Sequence, residues 1–315
     1  MFAESRAMGG LLIAVALVAG GLAGLIAWSG PVDPPGLRSR HTRPTPTSGG
    51  LALIVATCLG LALVGRLGLA AADARVGWLA GLAAIAGLIG AVDDLFDLPP
   101  RTKLLIQIAL ALLFARMVSR VELLPLAPGL TLPLGMIIGV AGSALWLVVL
   151  TNAVNFVDGA DGLAPGAVIV GLIGVAVAAI LNGQGLTAGA ALIGAAAGLA
   201  LVATNPIHGQ ALSPYLIPFA TLPMLTDVLL TLLARARARK PLLSAHREHL
   251  YQLWLDHTGA THAALSIRYW LVMAAFTAAA VLNEQAPIGW RPIGFAAAAL
   301  VAITGWIGLR RRARA

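Results

Sequence analysis

Charge is what this sequence has least of. Asp, Glu, Lys and Arg make up 11% of its 315 residues, and 13 residues are acidic. No polar stretch is long enough to build a soluble domain, so the two soluble domains that the length alone would permit are excluded. There is one cysteine, Cys58, inside an apolar block. It cannot form an internal disulfide and reads as a small core residue. The basic clusters lie beside apolar spans and lack interleaved aromatics, which argues against nucleic acid as a partner.

What is abundant is apolar sequence: 59% of the chain is hydrophobic and the mean hydropathy is +0.90. Soluble domains run near ~45–50% apolar. The apolar residues fall in blocks of about 15–22, long enough to cross a ~30 Å hydrocarbon core. Lipid requires internally satisfied backbone groups, so the expectation is an all-α polytopic transmembrane bundle forming one domain over residues 1–315. Spans are expected near 9–29, 48–69, 77–92, 104–118, 136–156, 165–182, 187–204, 212–233, 268–283 and 292–309, about nine to ten crossings. Glu4 beside Arg6, and the long apolar stretch after them, favour a retained first helix over a cleaved signal peptide. Gly and Ala are frequent within the spans, as expected where helices approach closely.

Three loops carry Lys or Arg in bulk: "PPGLRSRHTRPTPTSGG" (34–50), "DDLFDLPPRTK" (93–103) and "RARARKPLLSAHREHLYQLWLDH" (235–257). The positive-inside rule assigns such loops to the cytoplasm. Counting from an outside start then places the ends of the third and fifth spans on that face too.

Those ends hold the residues that lipid would not tolerate. Asp93 and Asp94 close the third span. Asp93 and Asp97 share a helical face if the helix continues, and Pro99 and Pro100 stop it. Adjacent carboxylates repel unless a cation intervenes, and a hard divalent ion prefers oxygen ligands plus substrate phosphates. The bland alternative is a solvated acidic helix end balanced by Arg101 and Lys103. At the end of the fifth span, "TNAVNFVDGADGL" puts Asn152, Asn155, Asp158 and Asp161 within ten residues. Asn152 and Asn155 share a face, and the Asp-Gly pairs are turn signals that let backbone approach a ligand. Amides and carboxylates together suit a ribose, a base edge and a metal, whereas capping explains one such residue, not four. "SAHREHLYQ" carries His246, Arg247 and His249. The two histidines are one turn apart if the segment is helical. With no cysteine and no further ligand at suitable spacing, zinc is disfavoured; His and Arg suit a diphosphate or an anionic lipid surface. Gly49 and Gly50, at the entry to a helix, offer a weaker anion-binding signal.

Taken together, "RSRHTRPTPTSGGLAL", "DDLFDLPPRTKLLIQ", "NAVNFVDGADGL" and "AHREHLYQ" stand in the order and spacing of one family. The chain resembles the polyprenyl-phosphate N-acetylhexosamine-1-phosphate transferases of glycosyltransferase family 4 over about residues 33–257. The "AHREHLYQ" form is closer to the O-antigen and capsule members than to the peptidoglycan enzyme. The resemblance implies a membrane phosphotransferase that moves a sugar-1-phosphate from a UDP-amino sugar to a polyprenyl phosphate within the membrane lipid, releasing UMP. It further implies Mg²⁺, with Mn²⁺ as the alternative, and an active site facing the cytoplasm of a bacterial inner membrane. A homodimer is left open. It implies Asp93, Asp94 and Asp158 as catalytic; Asp93, Asp94 and Asn155 as metal ligands; and Lys103, Asn152, Asp161, His246, Arg247 and His249 as substrate-binding.

Two departures stand against it. The family's Gly-Asp-x-Gly-Ser run, whose Asp is a metal ligand, is absent. "ATNPIHGQALSPYLIPFATLPMLTDVLLTLL" passes directly to a helix with its own Asp227. Asp227 taking over the lost ligand role is one explanation; an inactive binding paralogue and a damaged gene are others. Topology shows the same gap. Seven spans leave Asn205 inside, so a full crossing by 212–233 would put "RARARK" and "HREH" outside. Either 212–233 does not cross fully, with Pro214, Pro218 and Pro223 allowing a broken or re-entrant segment, or another block is not a true span. A transporter is the competing functional class. It would place its acidic residues near the bilayer midplane at broken helices, whereas these lie at helix ends.

Overall fold

The computed structural model describes Leu25, residues 32–33 and 45–46, Val55, Leu59, and residues 74–96, 98–157, 159–160, 163–182, 212–242 and 246–314, with the backbone alone at 32, 33, 45, 46, 74, 76, 94, 95 and 165. The expected spans 9–29 and 48–69 fall almost wholly outside these residues, and the block 187–204 and the glycine pair 49–50 do so completely.

Helices dominate. α1 (Ala74–Phe96) and α2 (Pro100–Met117) form an antiparallel pair. Leu98, Pro99 and Pro100 divide them: the residue before a proline is pushed out of the helical region, while proline itself is tolerated in a first turn. α3 (Gly135–Val157) and α4 (Leu163–Leu181) follow. α5 (Leu216–Ala220) and α6 (Leu222–Arg237) break at Thr221, where Pro223 enters the first turn of α6. α7 (Leu250–Thr258) ends on left-handed Gly259. α8 (His262–Glu284) starts with the Thr261 hydroxyl accepting from the Ala264 amide at 3.2 Å. A 3₁₀ turn (Ile288–Trp290) leads into α9 (Arg291–Arg312).

Strands are minor. β1 (Val32–Asp33) pairs with β2 (Thr45–Pro46), and β3 (Leu123–Ala127) with β4 (Leu130–Pro133) in an antiparallel hairpin between α2 and α3. The sequence reading did not anticipate the hairpin.

α3, α8 and the 288–312 segment are long and apolar enough to cross a membrane, and 77–93 and 166–181 are shorter apolar helices. Large side chains point outward along them: Ile137 is 85% exposed and Leu282 73%. Such exposure would be costly in water and is what a lipid-facing surface requires. The chain is a multi-pass helical membrane protein, as the composition predicts.

α3 is the central helix. Leu150, Ala153 and Val157 join a core built with α4 to α8, while Ala144 and Leu147 join a second core with α1 and α2. α4 and α8 run side by side in the same direction. Gly174 permits this, because a Cβ there would stand 2.0 Å from the Thr277 methyl.

The bundle has two distinct ends. At one, Tyr215 donates to the Pro125 carbonyl of the hairpin, the Ser213 amide donates to Glu284 at 2.7 Å, and Arg291 pairs with Glu284. At the other stand the last turn of α1, the first of α2, the last of α3, the first of α4 and the start of α7. This arrangement corrects the expected topology. α5–α6 starts at the hairpin end and runs toward the other, so "RARARK" and "HREH" reach the end that holds the carboxylates. The segment is broken, as its prolines allow, yet it runs from one end to the other. α4 travels parallel to α8 and therefore finishes at the hairpin end, where Leu212 resumes. The block 187–204, counted as a crossing, lies outside the described residues.

Candidate active site

Asp93 sits in the last turn of α1. Its Oδ1 pairs with Lys103 Nζ at 2.6 Å and accepts from the Leu98 amide at 3.1 Å, so the carboxylate caps the α1–α2 turn. Both side chains are about one quarter exposed. A partly solvated pair of this kind contributes little to stability and can exchange its partner for a ligand. α1 ends at Phe96, and Asp97 lies outside the described residues. Asp94 follows Asp93 in α1, but its side chain is not described.

Across from this pair is the last turn of α3. Asn152 donates from Nδ2 to Gln107 Oε1 of α2 at 2.7 Å and to the Val148 carbonyl at 2.8 Å, which ties α2 to α3 beside the Asp93–Lys103 pair. Asn155, one turn on, is exposed. Phe156 turns the other way: its ring lies 6.1 Å from His246 and 5.4 Å from His249. Its carbonyl accepts from Tyr251 Oη at 3.2 Å. One helical turn, 152–156, therefore links the α1–α2 elbow to the histidine loop. Asp158 and Asp161 lie outside the described residues. Gly159 between them stands against Tyr251, whose Oη would be 2.1 Å from a Cβ at that position. Its bare backbone thus admits a tyrosine, where the sequence suggested a ligand.

The histidine loop is not one helical turn. His249 is the extended N-cap of α7, and His246 precedes it in irregular chain. The two rings nevertheless come within 4.9 Å of each other. The loop is fixed by its neighbours: Glu248 pairs with Arg235 and, at 3.0 Å, with Lys240, while Arg310 of α9 donates to the Glu248 carbonyl at 3.0 Å. Burial alone would raise the Glu248 carboxyl, but the Lys240 hydrogen bond and the charges of Arg235, Lys240 and His246 hold it below the usual glutamate range. His249 is 1% exposed, and its pKa is pushed down to about 3, by burial first and then by the charges of His246, Arg310 and Arg235. It is a neutral imidazole at neutral pH. Arg247 is exposed and His246 half-buried.

Asp227, one explanation for the lost ligand, is instead occupied by protein donors. Its Oδ1 accepts from the Leu250 amide at 2.7 Å, Trp306 Nε1 at 3.0 Å and Thr231 Oγ1 at 3.3 Å. Among the described residues no three His, Cys, Asp or Glu side chains gather closely enough to hold a metal ion. The oxygen donors at this end, the Asp93 carboxylate and the Asn155 amide, are of the type a hard divalent cation takes.

Comparison with known proteins agrees with the geometry. Residues 76–209, which include α2 to α4 and all but the first two residues of α1, match glycosyl transferase family 4. A probable undecaprenyl-phosphate N-acetylglucosaminyl 1-phosphate transferase of Bacillus subtilis is 31% identical over 166 residues, covering 52% of this chain and 45% of that protein. The chain is similar to this family over residues 76–209 and spans under half the length of this relative. A decaprenyl-phosphate N-acetylglucosaminephosphotransferase of Mycolicibacterium smegmatis is 29% identical over 311 residues, covering 80% of this chain and 76% of the relative. The phospho-N-acetylmuramoyl-pentapeptide-transferase of Enterococcus hirae is 38% identical over 133 residues, 39% of this chain and 41% of the relative. The match to the mycobacterial relative runs over 311 positions and takes in 80% of this chain, so the relative carries stretches that this chain lacks.

Sequence reasoning named neither Gln107, Tyr251 and Glu248 nor Trp306 and Arg310. Glu248 could have been found, since it lies between the two histidines. Arg310 reads in sequence as part of a basic helix end, and nothing in its spacing announces that it reaches the histidine loop.

Proposed function

We propose that the protein transfers a sugar-1-phosphate from a UDP-N-acetylhexosamine to a polyprenyl phosphate, opening the synthesis of a cell-envelope polysaccharide on its lipid carrier. A phosphate oxygen of the lipid forms a bond to the β-phosphorus of the donor. The bond from that phosphorus to the bridging oxygen breaks, and UMP leaves with the electron pair. The observation that carries this reading is the shared α3 turn, 152–156, with Asp93 and Lys103 on one side and the histidine loop on the other.

Transfer between phosphates needs positioning and charge neutralisation more than covalent chemistry from the protein. Lys103 offers a cation to an anionic donor. Arg247 and His246 offer hydrogen-bond donors at the second wall. The oxygens of Asp93, Asp94 and Asn155 are the groups to hold Mg²⁺, which when bound supplies neutralisation of the diphosphate charge. Asp158 and Asp161 are assigned to the donor side, with Asn152 holding the α2–α3 wall between the two groups. The basic residues at this end include Arg101, Lys103, Arg237, Arg239, Lys240, Arg311 and Arg312. By the positive-inside rule it faces the cytoplasm of a bacterial plasma membrane, where a cationic mouth raises the local concentration of both anionic substrates.

The test is UMP release by the purified protein with Mg²⁺, UDP-N-acetylglucosamine and undecaprenyl phosphate, alongside an Asp93→Asn variant. Expected are turnover by the natural chain and a loss of about 10²-fold or more in the variant, the scale of a positioned acid–base group. No UMP from any of several UDP-amino sugars, with nucleotide binding intact, overturns the transferase reading. It supports instead a paralogue that binds without turnover, a reading favoured by the stretches this chain lacks relative to its mycobacterial relative.

A further inference from the structure

We infer that Asp227 is a positioning residue for His249: its second carboxylate oxygen orients the imidazole so that the proton sits on Nδ1 and Nε2 is left as an acceptor. Only the kinetic consequence of this inference rests on the proposed transferase activity.

The geometry begins with an asymmetry within one side chain. Asp227, in the second turn of α6, is 3% exposed. Three donors from three elements converge on its Oδ1: Leu250 at the start of α7, Trp306 of α9 and Thr231 of α6. With Oδ1 held from three directions, the carboxylate plane cannot turn freely. Its Oδ2 makes no hydrogen bond among the described residues and stands 3.9 Å from His249 Nδ1, which is likewise buried and makes none.

That separation exceeds hydrogen-bond length. Even so, leaving a buried acceptor and a buried donor unpaired is costly, and the two atoms are the complementary pair at hand. A shift of under about 1 Å joins them within the ordinary 2.7–3.2 Å range. The other groups around the ring are the Phe156, His246 and Tyr251 rings, the charges of Arg235, Arg310 and Glu248, and the Gln252 backbone amide in the first turn of α7, which donates to the His249 carbonyl at 3.1 Å. None of them is placed by a hydrogen bond to Nδ1. With the ring neutral at neutral pH, the choice of tautomer is the only protonation question left, and the partner of one nitrogen sets the role of the other.

The arrangement also gives α9 a purpose beyond anchoring. Trp306 fixes Oδ1, and Arg310 donates both to Thr231 Oγ1 at 3.1 Å and to the Glu248 carbonyl. A helix outside the family match at 76–209 thus braces the loop that faces the site.

The test uses full-length protein with ¹⁵N-labelled histidine rings, in detergent at pH 7, with the His249 signal identified by its loss in His249→Gln. The natural chain is expected to carry the proton on Nδ1. Asp227→Asn keeps an Oδ1 acceptor for the three donors but presents an amide N–H toward the ring, so the proton should move to Nε2. Trp306→Phe removes one bond to Oδ1 without touching Oδ2 and should leave it on Nδ1. In turnover, Asp227→Asn is expected to lower kcat about 10–100-fold, the scale of losing an orienting partner of a functional histidine, with KM for the UDP-sugar unchanged. A proton on Nε2 in the natural chain overturns the inference even if Asp227→Asn fails to fold. So does an Asp227→Asn protein that retains Nδ1–H. If the tautomer behaves as expected but no UDP-sugar yields UMP, the transferase reading fails and the orientation by Asp227 stands.

Discussion

His249 shows how burial sets the chemistry of a single residue. Its pKa falls from the ordinary 6.5 to about 3 in the folded protein. Below pH 6.5 the unfolded chain binds a proton there that the folded chain refuses. The contribution of His249 to stability is therefore complete above pH 6.5 and is lost progressively as the pH falls toward about 3. Glu248 acts in the same direction over a lower window, since its folded pKa lies below 4.5. We expect the melting temperature in detergent to fall between pH 7 and pH 5, and His249→Gln to flatten that dependence. An unchanged slope in the variant would mean that other groups carry it. The residue types at the site were readable in sequence, because lipid tolerates few polar groups and each one demands a reason. Their states were not. Nothing in "AHREHLYQ" says that His249 is buried and neutral while Arg247 is exposed.

At the level of elements, the hairpin end is secured by a buried charge cluster. Glu284 closes α8, is 1% exposed, accepts from the Ser213 amide ahead of α5 and pairs with Arg291 at the start of α9. Arg291→Leu would leave that carboxylate buried without its cation, which costs about 3–5 kcal/mol. Chemical denaturation should show a loss of this size, and adding Glu284→Gln should recover part of it. A loss under about 1 kcal/mol, the scale of an exposed pair, would show that Glu284 reaches water or another donor. Helix positions were legible from apolar block length, and the boundaries of α1, α3, α4 and α9 fall within a few residues of those expected, while α8 starts six residues earlier. The β3–β4 hairpin was not, since its alternation is short and its strands are held partly by Tyr215 from a distant segment.

For the whole molecule, the two ends make a prediction about the membrane. In cells whose only cysteine is introduced on a Cys58→Ala background, Arg239→Cys should react with an impermeant thiol reagent only after the membrane is opened. Thr131→Cys, at the hairpin, should react in intact spheroplasts. The reverse pattern would place the site on the outer face and remove the cytoplasmic donor from reach. Positive residues of α2, α6 and α9 gather at the end that holds Asp93 and the histidine loop, whereas counting spans put that loop at the opposite end. Loop charge is read locally, whereas one miscounted block inverts everything after it.

Apolar block length and the scarcity of charge were enough to determine a helical membrane protein, and four polar runs in order pointed to its resemblance to these transferases, because hydrocarbon penalises any unpaired polar group wherever it occurs along the chain. Only the tertiary structure decided that α5–α6 runs toward the site, that Asp227 is tied to α7 and α9, and that His249 is buried against α3. Those outcomes depend on contacts between segments far apart in sequence, and no local periodicity encodes which helices meet or which nitrogen of a ring faces a carboxylate.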